Sequence, residues 1–152
     1  MKNNIVPIFA GGGTRLPAHL GVLKALDELA IPFNSLVGVS GGSIVASFHA
    51  AGLSLETSKN IAFNTDYNQF REFSLSKLIR HGGLSSGDIF ERWVDQQLSG
   101  KTFIDLDKDL HIVATDVANG KPIIFNRERT PKMKVSKAVR FSMSIPLVFS
   151  FK

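Results

Sequence analysis

The feature that most constrains this chain is a pair of glycine-rich junctions, each set between a short apolar run and a helical pattern. Asn4 to Phe9 reads as a strand, with Ile5, Val6, Ile8 and Phe9 as a buried run that Gly11-Gly12-Gly13 ends abruptly. From His19 to Leu29 the residues Leu20, Val22, Leu23, Leu26 and Leu29 recur at the spacing of an amphipathic helix, and Ile31 to Asn34 turns out of it. Ser35 to Val39 repeats the device: an apolar run, then Gly38-Val39-Ser40-Gly41-Gly42, then a helix over Ser43 to Ala51 closed by Gly52. Strands separated by helices of this length need right-handed crossovers, which bring the strands side by side in parallel. The expected fold is therefore α/β, with a parallel-rich central sheet flanked by helices in a three-layer sandwich.

Leu55 to Arg80 reads as mostly helical, with Phe63, Phe70 and Phe73 packing on the sheet as core. Gly82-Gly83 breaks the pattern, and Ser86 stands as an N-cap for a helix from Asp88 through Trp93 to Leu98, ended by Gly100. His111 to Asp116 and Pro122 to Phe125 are two further strands around a turn at Asn119-Gly120, predicted as a hairpin or as neighbours. Val135 to Met143 is a short helix, and Ile145 to Phe151 begins another extended run that reaches the end of the sequence. With no repeat, low-complexity tract or linker, residues 1–152 read as one domain, C-terminally incomplete.

Composition narrows the chemistry. The absence of Cys excludes a disulfide scaffold, thiolate metal sites and a cysteine nucleophile, while 43% hydrophobic residues are too many for a disordered chain. No apolar run approaches the ~20 residues that span a bilayer, and a cytoplasmic protein is expected, with peripheral membrane contact in reach. The net charge of +5 is concentrated: Arg127, Arg129, Lys132, Lys134, Lys137 and Arg140 face only Glu128 in the same stretch. Such a patch suits water or anionic phospholipid headgroups, and no nucleic-acid signature accompanies it. The histidines lack metal-ligand spacing beside a carboxylate, so neither metal nor cofactor is expected.

Gly38-x-Ser40-x-Gly42, between a strand and a helix, has the placement of a nucleophile elbow, where flanking glycines allow close backbone approach and Ser40 Oγ projects from the sheet edge. Gly11-Gly12-Gly13-Thr14-Arg15 lies at the same edge and offers bare backbone N–H groups to an oxyanion. A dinucleotide fingerprint would need glycine where Leu16 stands, and a P-loop would need a following Gly-Lys-Ser/Thr. An α/β-hydrolase order, Asp then His after the serine, is met on paper by Asp66 with His81 or Asp105 with His111. Those enzymes, however, place several strands before the elbow, and Ser40 follows one.

The two loops, in this order, make the chain resemble the patatin-like phospholipases, serine acyl hydrolases of lipid esters. Ala114-Thr115-Asp116 and Ser142-x-Ser144-Ile145-Pro146 are similar to secondary landmarks of bacterial members. The resemblance implies a phospholipid or lysophospholipid substrate, Ser40 as nucleophile of a Ser-Asp dyad, and the N–H groups of Gly12 and Gly13 as oxyanion hole. Gly38 and Gly42 would shape the elbow, while Gly11 and Arg15 would support the loop or meet substrate phosphate. The family's Asp precedes Gly-Gly or Gly-Ala, a motif that none of the seven Asp residues after Ser40 provides. Two expectations follow: a hydrolase whose base lies beyond Lys152, or a catalytically silent lipid- or partner-binding remnant.

Overall fold

A computed structural model describes residues 5–12, 15–70 and 86–144. Its elements are β1 (Ile8–Phe9), α1 (Pro17–Glu28), β2 (Ser35–Val39), α2 (Gly42–Ala50), α3 (Leu55–Asn64), α4 (Ser86–Gln97), β3 (Asp109–Asp116), β4 (Lys121–Phe125) and α5 (Val135–Met143). The sheet runs in the order β1-β2-β3-β4. β1 and β3 both pair in parallel with β2, Phe9 opposite Gly38 and Val39 opposite Val113. β4 turns back antiparallel on β3, as the Asn119-Gly120 turn predicts, with Ile112 opposite Phe125. The result is the mostly parallel sheet flanked by helices that the strand-helix alternation demands.

Strand periodicity places the core. Leu36, Gly38, Leu110, Ile112 and Ala114 are the buried positions of β2 and β3, while Val37, Val39, His111 and Val113 on the other face are half-buried. Against the buried face lies α2, of which Gly42 through Phe48 and Ala50 are all buried, as befits a helix of small and apolar residues on nearly every side. The hydroxyls of Ser43 and Ser47 are satisfied inside it by the carbonyls of Ser40 and Ile44. α5 packs on β3 and α2, α4 packs on α5, and α1 and α3 pack together beside α2.

Three expectations are corrected. Ile5, Val6 and Ile8 are exposed and only Phe9 is buried, because β1 is the outer strand of the described sheet. Its pairing begins late: Pro7 has no N–H to donate and only accepts, from Val37 N–H at 2.9 Å. Phe63 is 68% exposed instead of core, since Leu55, Ser58 and Ile61 mark the inward face of α3 and two further residues turn the helix by about 200°. α1 starts at Pro17, a residue suited to a first turn, and leaves Val22 and Leu29 exposed. Phe70 does join the core, edge-on to Phe90. Gly13, Phe73, the Gly82-Gly83 break, the Ser86 side chain and the run from Ile145 lie outside the described residues.

Candidate active site

The elbow forms where β2 ends and α2 begins. Ser40 has φ +51°, a left-handed conformation that disfavours a side chain by roughly 1–2 kcal/mol. Close packing enforces it. A Cβ on Gly42 would stand 2.0 Å from the Phe9 carbonyl oxygen, and one on Gly38 would stand 2.6 Å from Ser43 Cα. Only hydrogen at both positions lets α2 start against the ends of β1 and β2. The Ser40 carbonyl accepts from Ser43 N–H at 2.9 Å and Ser43 Oγ at 2.6 Å. Its own N–H donates to Ser142 Oγ at 2.7 Å. The side chain is half-buried, two residues before α2 presents the positive end of its dipole.

The glycine loop meets the elbow. A Cβ on Gly11 would lie 3.2 Å from Ser40 Cβ and 3.5 Å from Ser40 Oγ, so Gly11 borders the serine hydroxyl directly. Gly12 follows, its carbonyl accepting from Arg15 N–H at 3.0 Å as the chain turns into α1. His19 Nε2 holds the Ala10 carbonyl at 2.8 Å while its ring stands edge-on to Phe9 at 5.5 Å, tying α1 to the start of the loop. Nothing in the sequence spacing of His19 signals this contact. Arg15 is exposed.

Ser40 Oγ donates weakly to Met143 Sδ at 3.9 Å, and among the described residues no carboxylate hydrogen-bonds to it. The carboxylates act elsewhere. Asp116 closes the β3–β4 turn by accepting from Asn119 Nδ2 at 2.6 Å and Ala118 N–H at 3.0 Å, and these bonds hold its pKa below the ordinary value. Asp105 caps a short turn through Thr102, whose hydroxyl and N–H lower its pKa likewise. Asp105 is thus not joined to His111. The imidazole Nε2 lies 2.9 Å from Asp109 Oδ2, and Nδ1 lies 3.1 Å from Asn126 Nδ2. Asn126 Oδ1 already accepts from Arg129 N–H at 2.8 Å, so its amide faces His111 as a donor and places the imidazole proton on Nε2. His111 therefore braces β3 against the loop after β4. His81 lies outside the described residues.

The basic stretch is less free than its sequence suggests. Arg127 donates to the carbonyls of Phe103 and Leu106, Lys134 pairs with Asp95 at 2.8 Å, and Arg140 pairs with Asp88 at 2.7 Å and Glu91 at 2.9 Å. The local excess of positive charge is thereby offset by three acids of α4. A groove of about 980 Å³ between α4, α5 and the β3–β4 hairpin is lined by the paired charges of α4, by Lys134 and Arg140, and by Phe125 and Phe141; neither Arg127 nor Ser40 lines it. No helix among the described residues is long and apolar enough to cross a membrane.

A mostly parallel sheet with a strained serine at the carboxyl end of an inner strand, bordered by a glycine loop, defines an α/β domain of the elbow-bearing class. Within that class the chain belongs to the patatin-like phospholipase family, whose family model matches residues 8–152. It is 33% identical over 151 residues to the uncharacterized protein R571 of Acanthamoeba polyphaga mimivirus, covering 91% of this chain and 51% of that protein. It is 31% identical over 162 residues to the uncharacterized protein YqhO of Bacillus subtilis, covering 93% and 56%. The chain thus spans about half the length of these curated relatives. Among solved structures, VipD from Legionella pneumophila matches with a TM-score of 0.72 over 99% of this chain and 44% of that one, at 16% identity, a likeness of fold.

Proposed function

We propose that the protein is a lipid acyl hydrolase that cleaves fatty-acyl esters of phospholipids or lysophospholipids through an acyl-Ser40 intermediate. The observation that carries this reading is Ser40 at φ +51° on the strand-to-helix turn, its Oγ beside the glycine loop at Gly11. Ser40 Oγ would attack the ester carbonyl, and the carbonyl oxygen, now negative, would be held by the N–H groups of Gly12 and Gly13. Collapse of the tetrahedral species expels the alcohol, which takes the serine proton from the base; water then releases the fatty acid and restores Ser40. The family resemblance assigns the base to an Asp that precedes Gly-Gly or Gly-Ala, a motif absent from residues 1–152. Gly38 and Gly42 serve the elbow, and Arg15 serves the loop or the substrate phosphate.

The test is fatty-acid release from phospholipid vesicles by the protein at its natural full length. Ser40→Ala is expected to lower the rate by about 10³-fold or more, and equal release by both proteins would end the nucleophile assignment. A second reading, a silent lipid- or partner-binding protein, is favoured by the thioether that Ser40 Oγ faces in place of a carboxylate. It predicts vesicle binding with no release by either protein. Contact with anionic lipid falls to Arg129, Lys132 and Lys137, exposed residues of the basic stretch outside its ion pairs. Binding should weaken as salt rises, at about 1 kcal/mol per basic residue, and salt-independent binding would remove the patch from the mechanism.

A further inference from the structure

Resting on the reading of Ser40 as the nucleophile, we infer that Ser142 is a positioning residue that holds the elbow in its reactive conformation. Its hydroxyl accepts from Ser40 N–H at 2.7 Å and donates to the Val113 carbonyl at 2.6 Å. A hydroxyl has one proton, so both directions are fixed by the partners, one a donor only and the other an acceptor only. The register explains why the bridge is needed. Gly38 pairs with Ile112 and Val39 with Val113, so the next rung of the parallel ladder would run from Ser40 N–H to the Val113 carbonyl. Ser142 Oγ stands in that rung. It satisfies both backbone groups just beyond the last paired residues, Val39 and Val113, where Ser40 turns out of the strand.

The elbow is then gripped from both ends of one residue. Ser43 holds the Ser40 carbonyl from α2, and Ser142 holds the Ser40 N–H from the last turn of α5. Between them, the direction in which the Ser40 side chain leaves the backbone is set by one residue 3 positions away and another 102 positions away. Met143, the next residue, places its sulfur 3.9 Å from Ser40 Oγ, so this turn of α5 lies directly against the hydroxyl it positions. Loss of the Ser142 hydroxyl leaves an unpaired N–H and an unpaired carbonyl at the elbow. The strain at Ser40 can then relax by rejoining the ladder, which draws Oγ away from the glycine loop.

The experiment compares the natural full-length protein with Ser142→Ala, Ser142→Thr and Ser40→Ala, using a soluble p-nitrophenyl ester and hydrogen-deuterium exchange. Ser142→Ala is expected to lower kcat by about 10- to 100-fold with KM changed by less than about twofold, the signature of a misplaced nucleophile. Ser142→Thr keeps the hydroxyl and is expected to bring kcat back to within about threefold of wild type. The Ser40 amide should lose exchange protection in the alanine variant and keep it in the threonine variant. An unchanged kcat in Ser142→Ala, unchanged exchange at Ser40, or equal losses with Ala and Thr would each overturn the inference. If Ser142→Ala does not fold, Ser142→Cys, whose thiol is a weak acceptor, carries the same comparison. Full activity in Ser40→Ala would instead overturn the nucleophile reading and this inference with it, whereas an inactive Ser40→Ala beside an unaffected Ser142→Ala would overturn this inference alone.

Discussion

Single residues at the elbow carry constraints that differ sharply from those of chemically identical residues nearby. Gly42 lies with its Cα against the Phe9 carbonyl, where a Cβ would come to 2.0 Å, and the obstacle is backbone that cannot swing aside. Gly42→Ala is therefore expected to destabilise the fold by about 2–4 kcal/mol in urea unfolding. Gly21, in α1, would meet nothing within 4 Å, and Gly21→Ala should instead stabilise by about 0.5–1 kcal/mol through helix propensity. Two glycine substitutions of equal effect would show that the β1–α2 contact is looser than described. The Gly-x-Ser-x-Gly pattern made Gly42 visible in the sequence. That Gly11 would border Ser40 followed only in outline, from both loops lying at one sheet edge.

At the scale of elements, the pairing of α4 with α5 is where local sequence misleads most. Arg140 is buried to 13% exposure between Asp88 and Glu91, and Asp95 receives Lys134 at 2.8 Å and Ser136 Oγ at 2.9 Å. Burial works to raise the pKa of Asp95, but the bonds from Lys134 and Ser136 outweigh it and hold the carboxyl below its ordinary value. The same bond raises the pKa of Lys134. Arg140→Met would remove the cation that Asp88 and Glu91 share, and a loss of about 1–3 kcal/mol in denaturant unfolding is expected. A loss under about 1 kcal/mol would place these pairs among exposed ion pairs of little weight. The sequence shows six basic residues in one stretch. It does not show that acids some 40 to 50 positions earlier fold back onto two of them, Lys134 and Arg140.

For the whole molecule, stability should depend on pH through His49. Its ring stacks on Phe33 at 5.3 Å, and its Nε2 is buried without a hydrogen-bond partner among the described residues. Burial first, and the nearby positive charge of Lys108 second, lower its pKa, with Asp27 opposing them. The unfolded chain thus binds this proton more readily than the folded one, so stability present above pH 6.5 is lost as pH falls below it. Thermal melts in that range should show a smaller decline for His49→Phe, which keeps the stacked ring and removes the proton site. An equal decline in both proteins would assign the effect to other groups.

Sequence alone determined the order of strands and helices, the α/β class and the strand-to-helix turn at Ser40, because helical period, β-rich runs and glycine loops act within about ten residues of themselves. Val135 to Met143 forms the helix its spacing predicts, and the Asn119-Gly120 turn forms the hairpin. Tertiary structure decided what depends on segments meeting across the chain. It made β1 the outer strand of the described sheet and so exposed Ile5, Val6 and Ile8, and it turned Phe63 away from the core. It neutralised much of the basic stretch, and it set the Ser142 hydroxyl between Ser40 and Val113. A hydroxyl carries no periodicity and no hydropathy pattern, so its role is defined only by the two backbone groups that the fold brings within its reach.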